Sequence, residues 1–226
     1  MKKSKDIVSR IDSLISKRSI LKHPFYRAWQ MGALTRPMLQ EYSRQYYRHV
    51  AAFPQYLSAV HSKMDNERDR KLVLENLNDE EHGNGGHPFL WQRFAEELGV
   101  TRRTLDATVA NSTTASFVNH FKETSQKGSI AEGIAALYAY ESQIPKVSAE
   151  KIRGLKKFYG VKTKKGLEYF EVHEKADVEH SVAERKLIRK YARGAAEQKK
   201  VLKAVSATLN AYWDLLSGME RRFASR

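Results

Sequence analysis

HEKADVEH, residues 173–180, sets His173, Asp177 and His180 at i, i+4 and i+7. Each residue advances about 100° around an α-helix, so the three side chains fall within about 60° of one face. Two imidazoles and a carboxylate on one stripe combine neutral nitrogen with hard anionic oxygen, donors suited to iron, manganese or zinc. A solvated helix face has the same pattern, and HxxxDxxH is short. Further ligands must therefore be sought elsewhere.

A second carboxylate comes from residues 130–144, apolar on nearly every side, with Ile134, Leu137, Tyr138 and Glu141 at helical spacing. This reads as a core helix, which puts Glu141 inside the protein. A buried carboxylate needs a cationic partner, a proton or a metal ion. Arg153 is the ordinary candidate partner, and the stripe at 173–180 favours a metal instead. The third region is NLNDEEHGNGGHPFLW, residues 76–91, where Glu80 and His87 stand seven apart. Gly83, Gly85, Gly86 and Pro88 argue against one regular helix through this interval. Glu81 and His82 compete with Glu80. With Glu80, the set becomes two glutamates, one aspartate and three histidines, close to that of carboxylate-bridged dimetal sites in helical bundles.

The rest of the chain fits a helical container. Its 226 residues contain no Pro/Gly/Ser-rich linker, so one domain over 1–226 is expected. Helices are expected near 5–17, 24–31, 36–64, 67–82, 87–98, 112–126, 130–144, 146–158, 164–193 and 197–223, with Pro54 kinking a long helix. No run alternates like a strand. Val201, Val205, Leu209, Tyr212 and Leu216 make a packing stripe. The absence of cysteine rules out disulfides and thiolate metal ligands. The basic start is broken by Asp6, Arg10 and Asp12, so neither a signal peptide nor a membrane span is expected, and a cytoplasmic protein is.

The formal charge of +14, from 40 basic and 26 acidic residues, thickens at 151–165 and 185–193. These lysines and arginines alternate with apolar positions, as on the wet faces of packed helices. No specific nucleic-acid partner is expected. Tyr26, Tyr42, Tyr46, Tyr47, Tyr56, Tyr138 and Tyr140 are dense where helices should meet, and each alone reads as a core residue with a polar handle.

LKHPFYRAW (21–29), QEYSRQYYRHVAAFPQYLSAVHS (40–62), ENLNDEEHG (75–83), AALYAYESQIPK (135–146), EKIRGL (150–155) and YFEVHEKADVEH (169–180) together resemble the chlamydial death-domain-associating protein family. The likeness is collinear over roughly residues 20–190. It implies an all-α, haem-oxygenase-like bundle, related in fold to pyrroloquinoline-quinone synthases and thiaminase-type proteins, with a central dimetal site. By that resemblance the ligands are Glu80, His87, Glu141, His173, Asp177 and His180. The metals are iron, manganese or one of each, used with dioxygen and an external reductant. The resemblance also implies an enzyme that makes 4-aminobenzoate for folate biosynthesis, consuming its own Tyr26 as ring source and Lys151 as amino donor. Tyr42 and Tyr140 would relay electrons or radicals. A nitrogen donor must be a neutral amine, requiring desolvation of Lys151 or nearby positive charge such as Arg153. The alternatives are oxidation of a separate small molecule and death-domain binding; assembly as a homodimer is left open. Thiaminase-like hydrolysis leaves the six polar residues without a purpose and lacks a cysteine nucleophile.

Overall fold

The computed structural model describes residues 6–82 and 86–224, with side chains to Arg221. Among these residues the chain forms α1 (Ile7–Lys17), a 3₁₀ turn (Ile20–Lys22), α2 (Pro24–Met31), α3 (Arg36–His61), α4 (Glu67–Glu81), α5 (Gly86–Glu97), α6 (Arg102–Ala107), α7 (Ser112–Lys127), α8 (Ile130–Glu141), α9 (Ile144–Phe158), α10 (Lys164–Tyr191) and α11 (Gly194–Ala224), and no strand. The expected start at residue 5 lies outside the described residues.

Helix α8 forms the axis of the bundle. Every residue from Ala131 to Glu141 except Glu132 is buried, and α3, α7, α9, α10 and α11 all pack on this helix. It starts in a capping box, where Ser129 Oγ accepts the Glu132 N–H and the Glu132 carboxylate accepts the Ser129 N–H. It ends at Glu141, earlier than the expected 144, because the chain turns at Ser142–Gln143 and restarts with Pro145 in the first turn of α9. The buried apolar side chains form one contiguous cluster, which includes the whole Val201–Leu216 stripe of α11.

Three local features position the site. Helix α2 opens with His23 as its cap: Nδ1 accepts the Phe25 N–H at 3.0 Å while Nε2 pairs with Ser217 Oγ at 3.0 Å. This anchors the helix that carries Tyr26. Gly154 lets α9 approach α2, since a Cβ there would lie 2.6 Å from Trp29 Nε1, and that indole donates to the Lys151 carbonyl at 3.4 Å. Lastly, α4 and α5 are separate helices, so Glu80 and His87 are not two turns apart on one rod. Gly86 opens α5 with φ +63°, and a Cβ there would stand 2.0 Å from the Glu80 carbonyl oxygen. Pro88 follows in the first turn of α5, where its missing N–H has no intrahelical partner to lose. Gly83 and Gly85 lie outside the described residues.

The short α6 was not anticipated; it buries only Leu105 and rests on its Thr101 cap. Helix α3 continues through Pro54 and stops at His61. The basic stretches face water in part and pair across helices, as in Lys165–Glu96, Arg185–Asp12 and Arg189–Asp6. No helix among the described residues is long and apolar enough to cross a membrane.

Gly86→Ala is expected to destabilise the protein by about 1–3 kcal/mol, lowering the thermal midpoint by about 2–4 °C per kcal/mol for a chain of this size. Gly160→Ala separates conformational cost from collision, because Gly160 has φ +72° but nothing within 4 Å of its Cβ position. Its midpoint should fall less than that of the Gly86 variant.

Candidate metal centre

Four helices converge on two groups of ligand-type side chains. Glu80 from α4, His87 from α5 and His173 from α10 make the first; Glu141 from α8 with Asp177 and His180 from α10 make the second. In each group one donor atom per residue lies within 4.8 Å of the others, and all six side chains are buried. In the first group, Glu80 Oε1 stands 3.0 Å from His87 Nδ1 and 3.9 Å from His173 Nε2. In the second, His180 Nδ1 lies 3.5 Å from Glu141 Oε1 and 3.4 Å from Asp177 Oδ1. The competing residues Glu81 and His82 are exposed.

The outer ring nitrogens are already engaged. His173 Nδ1 is 2.6 Å from the Tyr169 carbonyl, which can only accept, so Nδ1 carries the proton and Nε2 is left bare toward Glu80. His180 Nε2 lies 3.0 Å from Asp79 Oδ2, turning Nδ1 toward Glu141 and Asp177. Such partners orient imidazoles for metal binding and raise their basicity. Asn76 Nδ2 donates to Glu141 Oε1 at 2.8 Å, fixing the carboxylate plane.

Charge is the test of fit. Glu80, Glu141, Asp177 and also Glu184, one turn beyond His180, are all buried, and Glu141 Oε2, Asp177 Oδ2 and both Glu184 oxygens have no hydrogen-bond partner. Burial, reinforced by the neighbouring carboxylates, holds Asp177 and Glu184 well above the ordinary carboxylate range. Burial works against a charged His180, but hydrogen bonds to Asp177 and Glu141 outweigh it and push the imidazolium up to about 11. His173, desolvated and beside His87, is held well below its ordinary value. Protons here stand where cations would balance the carboxylates. The donor set fits two divalent ions such as iron or manganese.

Arg153 plays neither part expected of it. It is exposed and pairs with Glu150 on its own helix, so it neither neutralises Glu141 nor perturbs Lys151. Burial alone brings the Lys151 amine down to about 7. This lysine, from a run that reads as a wet face, is 2 % exposed. Its Nζ lies 5.6 Å from the centre of the Tyr26 ring, 5.2 Å from Tyr42, 4.9 Å from Tyr46, 5.7 Å from Trp91 and 5.3 Å from Phe170. Tyr26 and Tyr42 are fully buried, and Tyr140 places its hydroxyl 2.7 Å from that of Tyr46.

Sequence reasoning missed Asn76, Asp79, Glu184 and His49. Glu184 had a signal, since it continues the 173, 177, 180 stripe at i+4. His49, kept neutral by burial with a pKa near 3 and with both ring nitrogens unpartnered, looks like any core aromatic in sequence. It lines a cavity of about 10 Å³ together with Glu80, Tyr140, Glu141, Tyr169, His173 and Asp177.

Two outcomes follow. Asp79→Ala, which frees His180 Nε2, should weaken metal binding by about 10–100-fold without unfolding the protein, measured by competition with a chromogenic chelator. Because binding displaces protons from His180 and Asp177, affinity should rise with pH through the neutral range, by about tenfold per unit for each proton released. Calorimetry in buffers of different ionisation enthalpy counts those protons.

Residues 40–213 match the family model described as iron-containing redox enzyme, of haem-oxygenase type. A 4-aminobenzoate synthase of Nitrosomonas europaea is 41% identical over 225 residues, covering 96% of this chain and 92% of its own. One from Chlamydia muridarum is 43% identical over 201 residues, covering 89% and 84%. Among solved structures, a TenA homologue from Pseudomonas syringae superposes with a TM-score of 0.81 at 17% identity, covering 95% of this chain and 93% of its own, and so shares the fold. With four helices converging on two ligand groups inside that fold, the chain belongs to the iron-containing redox enzymes of haem-oxygenase type, among relatives named 4-aminobenzoate synthase.

Proposed function

We propose that this protein, acting as one domain over residues 1–226, is an oxygen-dependent dimetal oxidase that forms 4-aminobenzoate for folate biosynthesis from its own side chains. Tyr26 is the source of the ring and Lys151 of the amino group. The observation that carries this reading is the sealed pairing of the two: a buried amine with pKa about 7, its nitrogen 5.6 Å from the centre of a fully buried phenol ring. The relatives named for this product add to it.

The product's formula defines what must happen to the chain. In 4-aminobenzoate an amino group stands para to a carboxyl group; in tyrosine a hydroxyl stands para to Cβ. Nitrogen therefore replaces the phenol oxygen, Cβ becomes the carboxyl carbon, and the Cα–Cβ bond of Tyr26 and the Cε–Nζ bond of Lys151 break.

Glu80, His87 and His173 would hold one metal ion, and Glu141, Asp177 and His180 the other. When bound, a reduced iron- or manganese-containing pair supplies activation of dioxygen, with electrons from an external reductant. Tyr169 and Asp79 orient His173 and His180. Burial keeps much of Lys151 as the free amine at neutral pH, which a nucleophile requires. The rings of Tyr42, Tyr46, Trp91 and Phe170 exclude water and confine the amine beside Tyr26. Tyr140, adjoining Glu141, and Tyr42, near Tyr26, carry electrons between centre and ring. The cavity among the ligands, about 10 Å³, accommodates a molecule of water size rather than an organic substrate.

A second reading, oxidation of a separate small molecule, has one observation in its favour. A surface cleft of about 690 Å³ lined by Phe89, Leu90, Val172 and Ala176 reaches His87.

The purified protein is to be loaded with iron and manganese, reduced, and exposed to dioxygen with no organic substrate. The expected result is 4-aminobenzoate in no more than about one equivalent, with a matching mass loss at Tyr26. Protein labelled with ¹⁵N-lysine should yield labelled product, and Tyr26→Phe none. Oxygen consumption without product or modification would instead favour the second reading.

A further inference from the structure

The hydroxyls of three tyrosines from three helices form an unbroken file. Tyr46 Oη on α3 lies 2.7 Å from Tyr140 Oη on α8 and 3.1 Å from Tyr212 Oη on α11. At the far end, the Tyr26 hydroxyl is buried without a hydrogen-bond partner, and after burial itself the neighbouring phenols of Tyr212 and Tyr42 add to holding it neutral. At the near end, Tyr140 adjoins Glu141. A second line of contact also reaches Tyr46: its ring stacks on Trp91 at 4.9 Å and 21°, Trp91 meets Tyr169 at 4.8 Å, and Tyr169 lies 4.1 Å from the His173 ring. Tyr46 is thus where the hydroxyl file and this line of ring contacts meet.

We infer that Tyr46 and Tyr212 are relay residues through which a one-electron oxidation passes from Tyr140 to Tyr26. The inference rests on the reading of Tyr26 as ring source and deepens it. Tyr140 first loses a hydrogen atom to an oxidant formed from dioxygen and the external reductant. In each later hop the O–H bond of the phenol nearer Tyr26 breaks, and one electron and one proton move together to the phenoxyl oxygen nearer the ligand groups, where an O–H bond forms. Summed over the file, Tyr26 loses one hydrogen atom and Tyr140 regains its own. The last hop crosses the looser Tyr212–Tyr26 contact.

Moving electron and proton together suits this interior. Burial holds Tyr26 and Tyr46 well above the ordinary phenol range and Tyr212 near 12, so these phenols are neutral. Removing an electron alone would leave an unpaired cation in a dry core, at large cost. Between Tyr140, Tyr46 and Tyr212 a shared hydrogen bond lets the proton leave in the same step. Tyr42 packs its ring against Phe25, Trp29, Tyr46 and Trp91, but its hydroxyl bonds to neither Tyr46 nor Tyr140, so any electron it carries passes by ring contact and not along the hydroxyl file.

The test replaces Tyr46 or Tyr212 by 3-aminotyrosine, which traps a passing radical, in protein loaded with iron and manganese, reduced and then oxygenated. The expected result is an aminotyrosyl signal in the electron paramagnetic resonance spectrum from either position, with Tyr26 intact by mass spectrometry. The same replacement at Tyr56, whose hydroxyl faces the Val118 carbonyl at 3.5 Å outside the file, should trap nothing and leave Tyr26 loss as in the unmodified protein. Tyr46→Phe and Tyr212→Phe, checked for full metal content, should slow Tyr26 loss at least about tenfold while a radical persists at Tyr140, a signature that mere loosening of the core does not produce. Loss of Tyr26 at the unmodified rate in both Phe variants, with no trapped radical, would overturn the relay alone. Absence of Tyr26 loss in the unmodified protein would overturn the reading of Tyr26 as ring source and the relay with it.

Discussion

Confinement of four carboxyl groups and three imidazoles in one dry volume is the constraint on which the rest of this structure depends. Glu80, Glu141, Asp177 and Glu184 come from three helices, and none of those helices could carry an uncompensated carboxylate into the core without large cost. Close packing at this point therefore rests on charge balance as well as apolar contact. Much of the surrounding architecture serves that balance: Asn76 steadies one carboxylate, Asp79 and the Tyr169 carbonyl orient two imidazoles, and Gly86 allows α5 to begin against the end of α4.

The second volume, around Lys151, answers to a different demand. It contains phenols, indole and phenyl rings and one amine, with no carboxylate among the side chains ringing the nitrogen. Desolvation without a counter-charge favours the neutral amine. The protein thus keeps an anion-rich compartment beside one whose single ionisable amine has no carboxylate around it, and the Tyr140 hydroxyl, next to Glu141, meets that of Tyr46, which packs on Lys151.

Sequence periodicity revealed the helices well where one face is buried, because burial imposes the 3.6-residue repeat directly. It failed for α6, whose single buried leucine sets no repeat. Spacing alone singled out His173, Asp177 and His180, since all three lie on one helix. It could not relate Glu80 to His87, because they sit on different helices, α4 and α5. Lys151 illustrates the opposite failure: in a run of lysines and arginines it reads as a solvated residue, and only rings brought together from α2, α3, α5 and α10 bury it. Arg153, two residues on, points to water for the same helical reason. Tyr46 and Tyr212 carry no mark in sequence that separates them from ordinary core aromatics, because their significance lies in which hydroxyls meet.

Outside the Glu80–His173 pair, two hydrogen-bonded ties join α4 and α10. Asp79 meets His180, and Asp69 accepts Lys190 Nζ and the Tyr191 hydroxyl, each at 2.5 Å. Asp69 and Asp79 are ten residues apart, as are His180 and Lys190, so the ties are spaced by about 15 Å along both rods. The helices run antiparallel in matched register, like a ruler laid against its reverse. A single-residue insertion between either pair would turn one tie about 100° off its face while the other held. Length between these residues is therefore as strictly specified as their identity, although nothing in their chemistry announces it.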